Sequence, residues 1–401
     1  MKKFITLLLA AAMSAGCMMS MTGCGNNNTE QEGNNAPSGD DKTVYIGVYE
    51  PASGDNGAGG KQETLGVQYA NSQVNTVDIN GEEYNVQLVV VDNESSNDKA
   101  PSAAQELVSK GASVVLGSYG SSVSIAASDI FQKGGVPAIG ITCTNPQVTE
   151  GNTHYFRICF LDPFQGTVLA NYAKNLGATK AYCLAKLGDD YSGGLVHYFE
   201  EAFKKAGGEV VSETFQEGNS DFTSYITNAK NAGAQVFFAP VSTEAAALII
   251  EQASSQDIGM PLMAGDTWDS NVILNAAKDK NIEILVTTFY QEGGNPEFDA
   301  GIKEWVNADS KRIANNGGDD KIAAVTAMGY DAYFVALEAI KAAGSTDRAK
   351  INEALWDVNY NGVCGNVTFN DTGDANRDTA YVKKVNTQTG MWDFVAEQGV
   401  E

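Results

Sequence analysis

The sequence predicts an α/β protein made of two doubly wound parallel-sheet lobes. From residue 43 onward, runs rich in β-branched and aromatic residues alternate with helical stretches, and the alternation starts again near residue 164. Alternation on this scale is typical of parallel sheets that carry helices on both faces. The chain has 401 residues, which is more than one hydrophobic core normally serves. Two successive series of similar length therefore indicate two lobes.

The first series begins with the β-rich run Thr43–Tyr49. The run Val86–Val91 is apolar except at Gln87, which is typical of a parallel strand covered on both faces. A proline near the start of Pro101–Lys110 and Gly111 just after its end indicate a helix there. The other predicted elements are a helix over Gln62–Val77, a strand over Ser113–Leu116, a helix over Ser122–Lys133 and a strand over Val136–Ile141.

The second series repeats this order and then gives way to a more helical segment. Its predicted helices are Phe164–Leu176, Gly193–Ala206, Phe222–Ala232 and Thr243–Gln252, and its predicted strands are Ala181–Lys186, Glu209–Phe215, Gln235–Ala239 and Pro261–Ala264. The chain then continues through Ile282–Tyr290, helices at Phe298–Asn307 and Ile322–Ala343, and short strands at Gly365–Phe369 and Ala380–Asn386.

The N-terminus has the form of an export signal. Two lysines precede the uncharged apolar run Phe4–Ala12, which is too short to span a bilayer. Met21–Cys24 is similar to a bacterial lipobox, which predicts a lipoprotein signal peptide over residues 1–23 and acylation of Cys24. Cys17 is a second candidate, and an ordinary cleaved signal is the alternative. Residues 24–42 lack aromatic and large aliphatic side chains, so we expect a disordered tether.

Composition argues against several function classes. The net charge of −24 repels nucleic acid and anionic lipid surfaces. The chain has only two histidines, no G-x-S-x-G nucleophile elbow, and a Gly-rich stretch at Gly54–Gly60 that lacks the P-loop pattern. We therefore expect no enzyme, no cofactor and no metal site. The cysteines of the body leave disulfides and buried free thiols as open alternatives; they are Cys143, Cys159, Cys183 and Cys364.

Polar loops follow several predicted strands, at the edge where open α/β sheets bind ligands. Gly117–Ser122 leads into a helix, where Ser121 can act as the N-cap and free N–H groups can bind a carboxylate. Thr142–Thr144 supplies hydroxyl and carbonyl groups. In the second lobe, Asp189–Tyr191 and Gly265–Ser270 occupy equivalent positions. An aspartate facing the carboxylate-binding loop would pair with an ammonium group, so the loops together predict a cleft for an α-amino acid.

At these loops the sequence resembles the type I periplasmic-binding fold, in particular the leucine/isoleucine/valine-binding proteins of ABC importers. The resemblance covers nearly all of residues 43–390, and its most specific stretches are Gly117–Ile130, Pro137–Thr149, Phe156–Gly166, Gly265–Ser270 and Gly362–Asp374. It implies that Ser121 binds the ligand carboxylate, with Tyr119 nearby. It also implies that Thr142 offers a backbone carbonyl and Thr144 a hydroxyl and an N–H.

From the second lobe, the resemblance implies that Tyr191 contacts the ligand and that Asp266 contacts its ammonium group. The sequence departs from the family at several positions. The family's amino-acid binders carry glutamate where Asp266 stands, an aromatic residue expected near Gly59 is missing, and another near Val241 is replaced by a small aliphatic side chain. Trp268 is expected to refill this space and contact the ligand. The family's disulfide near the first loop is also absent, since Gly120 stands where its cysteine would be.

The resemblance further implies a hinge of three chain crossings, near residues 161–165, 287–291 and 358–362. Lobe 1 would then comprise residues 43–162 plus 290–360, and lobe 2 residues 163–289 plus 361–401. We expect a monomer, anchored by lipid on the outer face of the cell membrane, that delivers a branched-chain or related amino acid to the permease of an ABC transporter. An amide, urea or aromatic acid is the alternative ligand, and a sensing module for a receptor partner is the alternative role.

Overall fold

The computed structural model describes residues 42–399. The predicted signal peptide, both candidate acylated cysteines and the tether up to residue 41 lie outside this range. Within it, the first sheet is built from β1 (Thr43–Glu50), β2 (Thr76–Ile79), β3 (Glu82–Asp92), β4 (Val114–Leu116), β5 (Ala138–Gly140) and β6 (Tyr155–Arg157), and its helices are α1 (Gly57–Gln73), α2 (Ala100–Ser109) and α3 (Ser121–Gly134). The strand order is β2-β3-β1-β4-β5-β6, and all pairs are parallel except β2 with β3.

The second sheet has seven strands. They are β7 (Lys180–Lys186), β8 (Glu209–Phe215), β9 (Val236–Phe238), β10 (Leu262–Ala264), β11 (Ile284–Thr288), β14 (Ala380–Asn386) and β15 (Met391–Gln398), and the helices among them are α4 (Asp162–Asn175), α5 (Asp190–Lys205), α6 (Thr223–Asn231), α7 (Thr243–Ser255) and α8 (Asn271–Ala277). The order is β15-β14-β11-β10-β9-β7-β8, with β14 and β15 added antiparallel. The prediction of two α/β lobes with parallel sheets is confirmed.

Between β11 and β14 in sequence lie four helices and a hairpin: α9 (Pro296–Asn307), α10 (Ser310–Asn315), α11 (Ala324–Ala343), α12 (Arg348–Leu355), β12 (Asn359–Gly362) and β13 (Gly365–Thr368). The backbones of α11 and α1 touch. A Cβ atom at Gly66 would lie 1.9 Å from the carbonyl oxygen of Thr326, and one at Gly329 would lie 2.3 Å from that of Glu63. Only glycine fits at these two positions, and the contact fixes where Glu63 sits.

The inner strands of each sheet are buried on both faces, as doubly wound architecture requires. One face of the first sheet packs against α1 and α11, with Val67, Met328 and Ala336 in that core. Its other face packs against α2 and α3. The second sheet divides its apolar side chains in the same way between two clusters. The polar loops at the strand ends are therefore held by rigid elements.

The structure differs from the predicted elements in several places. The helix predicted to reach Val77 ends at Gln73, and Thr76–Ile79 forms a strand because its β-branched side chains pair with β3. The strands β6, β12 and β15 and the short helices α8, α10 and α12 were not predicted. The segment after β12 still packs on the first core, where Val367 and Ala375 are buried. This segment was assigned to the second lobe from the sequence.

All four cysteines of the described chain are free thiols, and Cys143, Cys159 and Cys183 are buried. The free-thiol alternative therefore holds in this structure. Across residues 42–399, no helix combines the length and the apolar character needed to cross a membrane.

Candidate functional site

The loops at the carboxyl ends of the two sheets meet between the lobes, and they touch directly. The Tyr119 hydroxyl donates a hydrogen bond to the backbone oxygen of Thr267 over 3.0 Å. The N–H of Asp190 donates to the Ser122 hydroxyl over 2.8 Å, and the side-chain amide of Asn145 donates to the Asp190 carbonyl over 2.7 Å. These bonds join the first lobe to the second, so the cleft is closed.

The first lobe contributes the N-terminus of α3 and the loop after β5. Ser121 is the first residue of α3 and is buried, but its hydroxyl accepts a hydrogen bond from the N–H of Asn145 over 3.2 Å. The expectation that Ser121 acts as the N-cap is therefore wrong: Gly120 takes that position, and no side chain caps α3. The positive end of the helix remains directed at the cleft, where it favours an anion.

Thr142 and Thr144 are both buried beside this helix end. The Thr144 hydroxyl lies beside the buried carboxyl group of Asp162. The Thr142 hydroxyl donates a hydrogen bond to Glu63. The loop that carries Thr142 and Thr144 thus contacts Ser121, and the Thr142 side chain is bonded to an acid that the sequence analysis did not single out.

The second lobe contributes Asp266, which is 1% exposed. Its Oδ1 accepts hydrogen bonds from the Gln165 amide and the Tyr191 hydroxyl, each over 3.0 Å. Its Oδ2 has no partner among the described residues. Burial raises the pKa of Asp266 to about 6, and the bonds from Gln165 and Tyr191 oppose that rise. A buried, oriented carboxylate oxygen of this kind suits an ammonium group.

The aromatic side chains of the cleft are arranged differently from the expectation. A Cβ atom at Gly59 would lie 2.3 Å from the Tyr119 ring, so Tyr119 fills the space that a larger residue would need there. Trp268 lies beside Val241 instead. Its ring is buried in the core of the second lobe, and its Nε1 donates to the Val241 carbonyl over 3.1 Å.

Sequence reasoning missed several buried polar side chains around the cleft. Asp162 opens α4 and is fully buried, and its carboxyl group lies beside the Thr144 hydroxyl. Burial raises the pKa of Asp162 to about 8. Gln165, Glu50 and Glu63 are also buried. Asp162 could have been found from the sequence, because it is an acidic residue that directly follows an apolar run at the predicted crossing between the lobes.

An open cavity of about 280 Å³ lies between the lobes beside the buried cluster. Tyr119, Tyr191 and Thr267 line it, together with the ion pair of Lys186 and Asp55, whose Nζ and Oδ2 are 2.8 Å apart. Ser121, Thr144 and Asp266 do not line this cavity. The buried cluster is the better candidate site, because its unpartnered polar atoms are oriented by the fold, whereas the cavity is lined largely by loop residues at the surface.

Comparisons with known proteins identify the family and the fold. The family model described as "Periplasmic binding protein" matches residues 43–390. The leucine binding protein LivK of Thermotoga maritima has a similar structure, with a TM-score of 0.78 and 32% identity, over 89% of this chain and 99% of that one. LivJ of Streptococcus pneumoniae, solved in complex with isoleucine, has a TM-score of 0.75 and 25% identity over 89% and 99%. A Leu/Ile/Val-binding protein homolog of Brucella abortus is 28% identical over 82% of this chain and 87% of its own.

Proposed function

This chain belongs to the periplasmic binding protein family, and we propose that it is the extracytoplasmic solute-binding protein of an ABC importer whose ligand is a small amino acid, branched-chain or related. The observation that carries the proposal is the placement of complementary groups on the two lobes. The uncapped N-terminus of α3, with Ser121 and Thr144, suits a carboxylate, and the unpartnered Oδ2 of Asp266 suits an ammonium group. The similarity to leucine- and isoleucine-binding proteins supports the same ligand class.

The mechanism follows from this division of contacts. A ligand that touches both lobes has a higher affinity for the closed form than for the open one, so it shifts the population toward closure. The hinge would be the three chain crossings, near residues 161–165, 287–291 and 376–380. Lobe 1 would then hold residues 43–162 plus 290–376, and the closed monomer would dock on the permease and release its solute there.

A thermal-shift screen of the purified protein tests the ligand class. L-Leucine, L-isoleucine or L-valine at a hundredfold excess over its dissociation constant is expected to stabilise the protein by about 2.7 kcal/mol, because it binds only the folded state. Urea and benzoate serve as arms for the alternative ligands. A shift with benzoate or urea and none with any amino acid would overturn the amino-acid proposal.

We also propose that Cys24 is acylated and anchors the protein on the outer face of the membrane. The support is the basic and apolar segment of residues 1–23 followed by the small residues before Cys24. A single acyl chain gives only marginal anchoring, so two or more are expected on this cysteine. Residues 25–42 would serve as the tether.

Cys24→Ser is expected to abolish incorporation of labelled palmitate and to move the protein from the membrane fraction to the soluble one. Cys17→Ser is the matched control and should keep both label and anchoring. Retained label in Cys24→Ser, with loss in Cys17→Ser, would transfer the anchor to Cys17.

A further inference from the structure

Two fully buried glutamates lie behind the ligand-binding loops of the first lobe. Glu50 is the last residue of β1 and is 1% exposed, and Glu63 is in α1 and is 0% exposed. Glu50 Oε2 accepts a hydrogen bond from the N–H of Tyr119 over 2.7 Å. Glu63 Oε1 accepts one from the Thr142 hydroxyl. Each carboxyl group therefore holds one of the two loops of the candidate site.

The remaining oxygens of this pair pose a chemical problem. Glu50 Oε1 and Glu63 Oε2 are buried, and neither accepts a hydrogen bond from an N–H or O–H group of the described residues. The two carboxyl groups are in hydrogen-bonding contact with each other. Two ionised carboxylates this close repel strongly in a buried site. A proton held between them removes the repulsion and satisfies both oxygens.

We propose that Glu50 and Glu63 share one proton, and that this carboxyl pair positions the Tyr119 and Thr142 loops for ligand binding. The inference rests on the proposed function, since it assigns these loops to the ligand. Both glutamates bond to residues of the ligand-binding loops and not to the ligand itself, so they act as positioning residues.

The electrostatic surroundings favour a bound proton. Burial raises the pKa of Glu50 well above its ordinary range and raises that of Glu63 to about 8. The titratable groups that face the pair come from β1, β6, both neighbouring loops and the second lobe, and they are Tyr49, Tyr155, Tyr119, Cys143 and Asp266. None of these groups is a cation. Helix α11 packs on α1, but its Asp331 accepts hydrogen bonds from the N–H groups of Val363 and Cys364.

The sign of the pH dependence follows directly. A carboxyl group whose pKa is raised in the folded protein stabilises that fold fully below its ordinary pKa, and the contribution is lost as pH rises through the raised value. For Glu63 the loss ends near pH 8. Above it the pair carries two buried negative charges, so the loops should loosen and affinity should fall.

Glu63→Gln provides the test, because the glutamine amide can donate to Glu50 and accept from Thr142 at every pH. With L-leucine as the calorimetric probe, the wild-type affinity is expected to fall about tenfold more than that of Glu63→Gln between pH 7 and pH 9. The ligand's own ammonium titration affects both proteins equally and cancels in the ratio. Glu106→Gln, at an exposed position on α2, is the matched control and should follow the wild type.

A second measurement needs no ligand, so it separates this proposal from the proposed function. Infrared difference spectra of the ligand-free wild type between pH 7 and pH 9.5 should lose a C=O band of a protonated carboxyl group. Asp162 also titrates in this range, so the Glu63→Gln spectrum identifies the band that belongs to the pair. Identical spectra for the two proteins would overturn the shared proton whether or not L-leucine binds. Identical affinity profiles would overturn its positioning role.

Discussion

Asp374→Ala is expected to lower the free energy of unfolding by about 3–5 kcal/mol, because it leaves a buried guanidinium without its carboxylate. Arg157 is 0% exposed, and its Nε lies 2.5 Å from Asp374 Oδ1. The same guanidinium donates to the carbonyl oxygens of Cys143 and Asn145. The loop that carries Thr144 therefore depends on this ion pair, and ligand affinity should fall together with stability.

Chemical denaturation of the two proteins measures this effect. Asp129→Ala is the matched control, since Asp129 pairs with Lys133 over 3.1 Å but both side chains are 74% exposed. Its stability should change by no more than about 0.5 kcal/mol. A loss below about 1 kcal/mol in Asp374→Ala would show that the loop and the guanidinium find other partners.

Asp266→Asn is expected to weaken amino-acid binding by about 10- to 150-fold, which corresponds to the 1.5–3 kcal/mol of a hydrogen bond to a charged group. The substitution keeps the size of the side chain and its capacity to accept from Tyr191. It removes the negative charge that would pair with the ammonium group. Isothermal calorimetry with L-leucine measures the change.

The pH dependence gives this prediction a second readout. Because the pKa of Asp266 is about 6 in the ligand-free protein, the carboxylate form disappears as pH falls through that value. Wild-type affinity should therefore decrease below pH 6, whereas Asp266→Asn should show no such decrease. Asp257→Asn, an exposed position in the same lobe, is the control. Equal affinity of Asp266→Asn and the wild type would remove Asp266 from the ammonium site.

The sequence predicted the sheets well because their strands carry local signals. The run Val86–Val91 forms most of β3, which pairs with β1 and β2. It is not covered along its whole length, since Val90 is 45% exposed. The helix predicted to reach Val77 was wrong at its end, because a β-branched residue in that position is compatible with the last turn of a helix and with the start of a strand. Strand β2 exists because β3 is available to pair with it, and that pairing is a tertiary effect.

The position of the third crossing could not be read from local signals. The segment up to Ala375 stays on the first lobe because Asp374 pairs with Arg157, 217 residues earlier in the chain. Ser121, Thr144 and Asp266 could be located because they follow strand ends. Glu50 and Glu63 could not be located in this way, because glutamates are usually exposed. The burial of Glu63 depends on the close packing of α1 on α11 at Gly66 and Gly329, which is a tertiary contact.

The bonds between the lobes have a consequence for how binding strength is set. Three contacts between the lobes need no ligand, so they favour the closed form even when the site is empty. They join Tyr119 to Thr267, Ser122 to Asp190 and Lys186 to Asp55. The observed dissociation constant is the intrinsic one divided by the fraction of molecules competent to bind. Substitutions in these inter-lobe bonds can therefore change the affinity for the solute without changing the residues that contact it. Too much such bias would let empty molecules compete for the transporter.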